Sequence, residues 1–455
     1  MKMENAVREG MPVNAAGRLD RLPVGRFHYR LFLLISGGLF FDFFDMHMAS
    51  GVATALLSEG FSTLQGNALF FSLTYFGLLI GALGAGVLGD RFGRRRMYQL
   101  NLAVVGIATL SCAIAPNMTW LLVSRFIAGV GLGAEGGISF AALAEMVPPR
   151  SRGKWLTGAS LFATTAVIFS SVMGYWLLPL GHWRMMFVIA GVGALIFCIL
   201  RRRLPESPRW LESKGRHAEA ELVLQAIEAE AAGGKKLPPA EATNLETSKS
   251  ESFLVLFSKT VWRRTLVACM VNITVTFVTY GFLGWLPTML MKQGHTMGSA
   301  LGLSTLIVIG GPIGSAVAVL ISDRIGRRKS LIILSFVNAA LGMAFAAANT
   351  STLMVITGFL LVGHVFMMST MSVSGYVPEL FPTSYRMRGT AFSNAMGRFA
   401  AIIGPYAILF LFNFGGLQSV VIAIVGLMLI QAVVIFQFGI ETTRLSLEEI
   451  AKKEH

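Results

Sequence analysis

The most chemically unusual stretch of this chain is a pair of aspartates inside an apolar run near the N-terminus. Asp42 and Asp45 are three residues apart, surrounded by phenylalanine and methionine. In a helix, residues at this spacing share a face, with Cβ atoms about 5–6 Å apart. Two carboxylates this close in a low dielectric do not both ionise easily, so we expect the pair to titrate in two steps, as a proton carrier does. Glu135, which follows a glycine run, is a further candidate for proton coupling.

One arginine near the C-terminus is the other main candidate for chemistry. Arg398 lies well inside an apolar run, with Asn394 one helical turn before it. A guanidinium is permanently charged and can hold a carboxylate by two parallel hydrogen bonds, so Arg398 is predicted to bind an anionic substrate. The alternative is a structural ion pair with a buried acid, but the apolar runs around it contain none.

Arg125 is the basic residue best placed to pair with the two aspartates. Such a pair could be purely structural, or it could form in one conformational state and open in another, when Arg125 would reach the substrate. Weaker candidates for lining a substrate cavity are Asn272, Tyr280 and Trp285. His364 could titrate near neutral pH, although a lone histidine is more often a hydrogen-bonded core residue.

The composition indicates a membrane protein. Of the 455 residues, 54% are hydrophobic and 14% charged, against about 25% charged in soluble domains. A helix needs about 20 apolar residues to cross a bilayer. The sequence therefore predicts an all-α membrane protein with twelve transmembrane helices, near 28–57, 65–89, 97–115, 118–144, 152–179, 184–200, 261–291, 298–321, 330–348, 352–377, 388–413 and 417–438.

The net charge of +14 is explained by its placement rather than by nucleic-acid binding. Lysine and arginine concentrate in alternate loops, which predicts that these loops and both termini are cytoplasmic. We expect a multi-pass protein of a bacterial-type inner membrane, monomeric, whose partners are lipid, protons and a small organic acid. No metal site or cofactor is expected, and no phosphate-binding loop is present to suggest an ATP-driven enzyme.

Two phrases recur about half a chain apart. Gly-Asp-Arg-Phe-Gly-Arg-Arg-Arg at 89–96 is echoed by Ser-Asp-Arg-Ile-Gly-Arg-Arg-Lys at 322–329, and a Glu-x-x-Pro loop at 145–153 is echoed at 379–389. This duplication predicts two pseudosymmetric six-helix bundles. The predicted divisions are an N-terminal bundle at 1–204, a cytoplasmic linker with short helices at 205–260, and a C-terminal bundle with its tail at 261–455.

The repeated loops are predicted to act as a cytoplasmic gate. Arg94 and Arg95 could reach Glu145, and the echoed arginines could reach Glu379. The loop aspartates are expected to face helix N-termini of the other bundle, where a carboxylate gains roughly 0.3–1 kcal/mol. The alternative is that the arginines only orient the protein in the membrane. The predicted gate residues are Asp90, Arg91, Arg94, Glu145, Asp323, Arg324, Arg327 and Glu379.

These motifs together resemble the major facilitator superfamily, over essentially the whole chain. The repeated loops are similar to its signature, and Arg-Phe-Ile-Ala-Gly-Val-Gly-Leu-Gly at 125–133 is similar to its fourth-helix motif. Pro-Glu-Ser-Pro-Arg-Trp-Leu at 205–211 and the tail at 441–450 resemble elements of sugar porters, organic-ion transporters and aromatic-acid symporters. Asp42 and Asp45 resemble the Asp-Gly-x-Asp motif of aromatic-acid:proton symporters, although Phe43 stands in place of glycine.

The resemblance implies alternating access and three possible functions. The first is proton-coupled import of a small organic anion, most simply an aromatic monocarboxylate, because an arginine in the eleventh helix accompanies anionic substrates in similar organic-ion transporters. The second is sugar or polyol transport, which the scarcity of glutamine in the apolar runs disfavours. The third is proton-driven export of drugs or metabolites, which the lack of a Gly-Pro motif at 157–178 disfavours.

Overall fold

The computed structural model describes residues 14–232, 237–240, 253–382 and 385–442, with backbone alone at 322–325 and 374. The described residues form helices and no strand. Twelve long helices cross the molecule: α1 Arg26–Ser58, α2 Leu64–Phe92, α3 Arg94–Ala113, α4 Met118–Met146, α5 Pro149–Leu177, α6 Trp183–Arg201, α7 Trp262–Lys292, α8 297–325, α9 Arg327–Ala346, α10 351–379, α11 386–414 and α12 417–438.

Each of the twelve predicted segments corresponds to one of these helices, so the predicted fold class is confirmed. Within the described residues, ten helical spans are long and apolar enough to cross a membrane, and one of them is the 53-residue run Arg386–Phe438. That run contains α11 and α12, because Gly415 and Gly416 leave helical geometry there. The remaining helix, α3, is not among these ten spans. It is as long as α9, at 20 residues, but it begins with three arginines.

The ends of the helices define two sides of the molecule. On the linker side, α1 begins and α6 ends; on the opposite side, called the far side here, α2, α4, α8 and α10 begin. Each of these four helices starts with a side chain that accepts a hydrogen bond from a backbone N–H three residues later, which satisfies an otherwise unpaired donor. The four capping residues are Thr63, Asn117, Thr296 and Thr350.

Two of these helices depart locally from α-helical geometry. A π-helical turn interrupts α7 at Phe277–Phe282, and another interrupts α10 at Ser372–Tyr376. Such turns often occur at functional sites because they redirect side chains and free backbone groups. Tyr280, a predicted cavity residue, lies within the turn in α7.

The packing differs between the two sides. We call α1–α6 the N-half and α7–α12 the C-half. On the far side, one apolar core combines residues of both halves, such as Phe71 and Trp285. On the linker side each half has a core of its own, one around Tyr98 and one around Tyr376. The halves are therefore joined on the far side and separate on the linker side.

The predicted linker contains the helices Pro208–Ser213 and His217–Ala232. The second of these holds a short N-terminal helix, Ala15–Asp20, through ion pairs from Arg18 to Glu221 (2.5 Å) and Glu228 (2.7 Å). Most of the tail motif at 441–450 lies outside the described residues.

Candidate substrate and proton site

A cavity of about 470 Å³ lies between the halves at mid-depth and toward the linker side. Five of the predicted site residues line it, and they come from three helices. Asp42 belongs to α1, Asn272 and Tyr280 to α7, and Asn394 and Arg398 to α11. Both halves therefore contribute polar groups to one space, which sequence spacing alone could not show.

Arg398 makes one hydrogen bond and no ion pair among the described side chains. Its Nη1 donates to the carbonyl oxygen of Leu78 on α2, 3.1 Å away in the other half. The remaining guanidinium donors are available to a ligand in the cavity. Arg398 also spans the two halves, so it is placed to respond when they move relative to each other.

Asp42 lines the cavity from the N-half and is 6% exposed. Both carboxylate oxygens are buried and have no hydrogen-bond partner in the described part of the chain. A buried, unpaired carboxylate is costly when ionised, and it becomes much less costly when it carries a proton or gains a partner. Asp42 is thus the acidic group of this site that is not neutralised by the fold.

Asp45, by contrast, is fully engaged in an ion pair. Its Oδ2 accepts a hydrogen bond from Nη1 of Arg125 at 2.7 Å, and its Oδ1 accepts one from Thr109 at 3.3 Å. The rings of Phe70 and Phe187 flank the guanidinium, whose carbon lies 5.2 and 5.9 Å from their centroids. Both charged side chains are almost completely buried, outside the cavity wall. Arg125 therefore pairs with one of the two aspartates, as expected, and does not line the cavity in this conformation. Its contact with substrate in another state stays a prediction.

Glu135 belongs to a second buried ion pair that the sequence did not predict. Its Oε1 accepts one hydrogen bond from Nη1 of Arg201 and another, of 2.6 Å, from the Ser139 hydroxyl. Arg201 also donates to the carbonyl oxygens of Leu34 (3.0 Å) and Ile35 (2.8 Å) on α1. Glu135, predicted as a candidate for proton coupling, is held in this pair and does not line the cavity. Arg201 begins a run of three arginines, and nothing in the sequence indicated that its side chain is buried at the end of α6.

Two other predicted residues lie away from the cavity. Trp285 packs in the shared far-side core, with its ring centroid 5.8 Å from that of Phe71. His364 faces away from the cavity and bonds through Nδ1 to the carbonyl of Leu360 at 2.8 Å. The predictions that these residues line the substrate site are wrong, because the helices present them to other surfaces.

His47 and Tyr75 were missed as cavity residues. His47 follows Asp42 by little more than one turn of α1 and stacks on Phe43, with centroids 5.9 Å apart. Tyr75 faces Tyr280 across the halves at 5.2 Å between centroids. The position of His47 within the acidic motif was the available signal; nothing in the sequence indicated Tyr75.

The repeated loops form matching networks, each inside one half. Arg94 bonds Asp90 (2.7 Å) and Glu145 (3.1 Å), and Arg327 forms the corresponding short ion pair with Glu379. These pairs connect helices within a half, as predicted for both glutamates. Arg91 extends over the ring of its neighbour Phe92, at 5.5 Å.

Two further glutamates complete these networks. Glu206 accepts hydrogen bonds from the backbone N–H groups of Arg94 (2.9 Å) and Arg95 (3.1 Å) at the start of α3. Glu441 does the same for Arg327 (2.8 Å) and Arg328 (3.4 Å) at the start of α9. Burial raises the pKa of the Glu206 carboxyl, although these N–H groups act in the opposite direction. Neither glutamate was predicted as a site residue.

The expectation that the loops bridge the two halves is wrong for the described side chains. Asp90 is 70% exposed and contacts its own half. Arg95 donates to the carbonyl of Arg202, and Arg328 donates to carbonyls at the end of α12, so neither reaches the glutamate expected of it. The networks are intact although the halves are separate on this side. The side chains of Asp323 and Arg324 lie outside the described part of the structure.

Known proteins place this chain in context. A family model described as sugar (and other) transporter matches residues 32–453. The inner membrane metabolite transport protein YdjE of Escherichia coli is 36% identical over 96% of this chain and 98% of its own length. The niacin transporter NiaP of Acinetobacter baylyi is 29% identical over 96% of this chain and 100% of its own length.

More distant relatives and solved structures are also transport proteins. A gallate transporter and the 4-hydroxybenzoate transporter PcaK, both of Pseudomonas putida, are each 26% identical, over 86% and 89% of this chain and 87% and 90% of their own lengths. The inward-open structure of the xylose transporter XylE from Escherichia coli has a TM-score of 0.73 at 18% identity, covering 94% of this chain and 99% of that one. At this identity the likeness shows the fold alone.

The fold and the relatives define a multi-pass inner-membrane transport protein and not an enzyme. Within that class, the chain belongs to the sugar (and other) transporter family of the major facilitator superfamily.

Proposed function

We propose that this protein is a proton-coupled secondary transporter that imports a small organic anion, with an aromatic monocarboxylate as the favoured substrate, by alternating access. One observation carries the proposal: within the described residues, the cavity between the halves is lined by an arginine of the C-half without an acidic partner and by an aspartate of the N-half without a hydrogen-bond partner. Charges inside a membrane are costly and are a functional candidate by default.

Arg398 is the group that would hold the substrate. A guanidinium binds a carboxylate through two parallel, charge-assisted hydrogen bonds, and the described side chains near Arg398 supply no carboxylate of their own. Tyr75 and Tyr280 beside it provide flat apolar surface for a ring. Three relatives are named for carrying niacin, gallate or 4-hydroxybenzoate, which supports an aromatic acid.

Asp42 is the group that would carry the proton. Protonation removes the charge from a buried carboxylate, while substrate binding compensates the charge of Arg398. With both groups neutralised, enclosing the cavity costs less. One proton moving with one monoanion is electroneutral; a second proton would add about 2.3 kcal/mol per 100 mV of membrane potential. Asp45, already paired with Arg125, supports the fold in this state.

The contacts between the halves support the cycle. On the far side, Thr54 and Thr288 hydroxyls are 2.8 Å apart, and the Ser72 hydroxyl donates to the carbonyl of Ile402 at 2.7 Å. If the linker side is cytoplasmic, as the basic loops predict, this is the inward-facing arrangement. Rocking the halves would open these hydrogen bonds and close the linker side.

A sugar or polyol is the second candidate, because the family's name and the xylose transporter's fold favour it. Sugar sites hydrogen-bond many hydroxyls through amide side chains. The described residues that line this cavity include Asn272 and Asn394 but no glutamine. The polar groups instead suit an anion with a ring.

The test is uptake into proteoliposomes containing the purified protein, with an inward proton gradient. Benzoate, 4-hydroxybenzoate, nicotinate and glucose are compared side by side. We expect acid accumulation that a protonophore abolishes. Glucose uptake that ignores pH, with no acid uptake, would overturn the proposal in favour of a sugar facilitator.

Two variants assign the roles. Asp42→Asn should lose gradient-driven accumulation yet retain exchange of labelled for unlabelled acid, because a neutral side chain imitates the protonated state. Arg398→Ala should lose both. Lys292→Ala, which removes a positive charge from the exposed far side, and Glu219→Gln, which removes a negative charge from the exposed part of the linker, are the matched controls. Full accumulation by Asp42→Asn would contradict the proton role.

A further inference from the structure

A second, smaller cavity of about 60 Å³ adjoins the first on its far side. We call it the far-side pocket. The two spaces share the lining residues His47, Tyr75, Thr279 and Tyr280, so the pocket continues the substrate cavity. Ser304 of α8 lines the far-side pocket but not the substrate cavity. A single water needs about 10–15 Å³ measured in this way, so the pocket has room for a hydroxyl group or for water molecules.

Three side chains of the far-side pocket have buried polar atoms without a partner. They are Nε2 of His47, Oγ1 of Thr279 and Oγ of Ser304, and none has a hydrogen bond within the described part of the chain. Ser304 is 6% exposed. Buried polar groups are nearly always satisfied, because an unmade hydrogen bond costs the full desolvation of the group.

Neighbouring hydroxyl groups have hydrogen-bond partners, unlike those of Thr279 and Ser304. Ser170, which lines the same pocket, donates to the carbonyl of Val167 at 3.0 Å. Thr305, next to Ser304, donates to the carbonyls of Leu301 (2.8 Å) and Ser171 (3.2 Å). Hydroxyls on these helices can therefore bond to the backbone, and those of Thr279 and Ser304 do not.

The hydrogen bonding of His47 indicates what kind of chemical group the far-side pocket can bind. Its Nδ1 lies 2.9 Å from the carbonyl oxygen of Phe43, which can only accept, so Nδ1 carries the proton. In the neutral ring Nε2 is then an acceptor that needs a donor. Thr279 and Ser304 can each donate or accept. A hydroxyl, which donates and accepts at once, satisfies this combination, whereas a group that only accepts leaves His47 unpaired.

We propose that the far-side pocket is the subsite for a hydroxyl group on the ring of the substrate, so that the protein prefers hydroxylated aromatic acids to unsubstituted ones. The proposal rests on the proposed function, because it places the carboxylate at Arg398 and the ring beside Tyr75 and Tyr280. The hydroxyl then reaches His47, Thr279 and Ser304. Water is the competing occupant of the far-side pocket, and the experiment below distinguishes water from a substrate hydroxyl.

The experiment measures the dissociation constants of benzoate, 4-hydroxybenzoate and 4-fluorobenzoate for the full-length protein in detergent. Fluorine fills space without supplying a donor. We expect 4-hydroxybenzoate to bind at least about tenfold more tightly than the other two, since each buried hydrogen bond contributes a few-fold to about tenfold. Ser304→Ala and Thr279→Val should each reduce this preference about threefold to tenfold.

Ser170→Ala is the matched control, because its hydroxyl is in the same pocket but already bonded to the backbone. It should leave the preference unchanged. Arg398→Ala should weaken all three acids alike, since they share the carboxylate.

Three results would overturn the proposal. Equal binding of the three acids to the wild-type protein would assign the pocket to water. An unchanged preference in Ser304→Ala and Thr279→Val, or the same reduction in Ser170→Ala, would remove these hydroxyls from recognition. In each case acid binding would still stand, whereas no binding of any acid would refute the proposed function as well.

Discussion

The two halves of the molecule are alike at the linker-side surface and different in the interior. Each half has an arginine paired with a loop glutamate and a second glutamate at the start of a helix. Inside, the N-half holds two buried ion pairs and the unpaired Asp42. Among the described side chains, the middle of the C-half's helices has Arg398 as its one charged residue of the lysine, arginine, aspartate and glutamate types.

The difference teaches which features the duplication retained and which diverged. Pairs that fasten helices within a bundle serve both halves equally, and they recur. The charges that face the cavity do not recur, and in the proposed cycle one half takes a proton and the other takes an anion. We infer that proton coupling belongs to the N-half and that the substrate's carboxylate is bound by the C-half.

The largest effect should come from breaking a buried pair of the N-half. Glu135→Ala leaves the Arg201 guanidinium buried without a counter-charge, which typically costs about 3–5 kcal/mol. Arg398→Ala should change stability much less, because Arg398 has no ion pair to lose. Thermal unfolding in detergent, followed by tryptophan fluorescence, measures both.

The double variant Glu135→Ala with Arg201→Ala is the control. It should be more stable than Glu135→Ala alone, because no uncompensated charge remains. Equal melting of Glu135→Ala and the wild-type protein would show that the pair is not structural, and the contrast between the halves would lose its basis.

An intermediate effect should follow from making the C-half resemble the N-half. Asn394→Asp places a carboxylate one turn before Arg398, at the spacing where oppositely charged side chains pair on a helix. The guanidinium would then be neutralised internally, and substrate affinity should fall about tenfold or more, since hydrogen bonds to charged groups contribute about 1.5–3 kcal/mol. The dissociation constant of 4-hydroxybenzoate is the measurement.

Asn394→Ser removes the amide without adding charge, and it should weaken binding less than Asn394→Asp. Unaltered affinity in Asn394→Asp would mean that Arg398 does not hold the carboxylate.

The smallest effect tests the likeness of the halves. Glu206→Gln and Glu441→Gln each replace a carboxylate that accepts from the first N–H groups of a helix with a neutral acceptor. Each should lower stability by about 0.3–2 kcal/mol, the range for a charge at a helix terminus, and the two shifts should be similar. Thermal unfolding measures them, with Glu219→Gln in the exposed part of the linker as control. A loss in only one half would show that the loops are not equivalent.

Much of the fold could be predicted because its signals are local. Apolar length identified each crossing helix, and the repeated loops identified Arg94–Glu145 and Arg327–Glu379 as pairs within a few residues of a helix end. Asp42, Asn394 and Arg398 were found because a polar side chain deep in an apolar run is conspicuous by itself. Arg201 was not, because it stands at the edge of a basic run, where a charge is unremarkable.

The sequence by itself determined the twelve helices, the duplication and the membrane class, since each depends on the composition of a continuous stretch. Only the tertiary structure decided that Arg125 takes Asp45 and leaves Asp42 to the cavity. It also decided that Glu135 pairs with Arg201, that Trp285 and His364 lie elsewhere, and that His47 and Ser304 line the same pocket. Helical periodicity gives the face a residue occupies on its own helix. Which neighbour that face meets depends on how the helices pack.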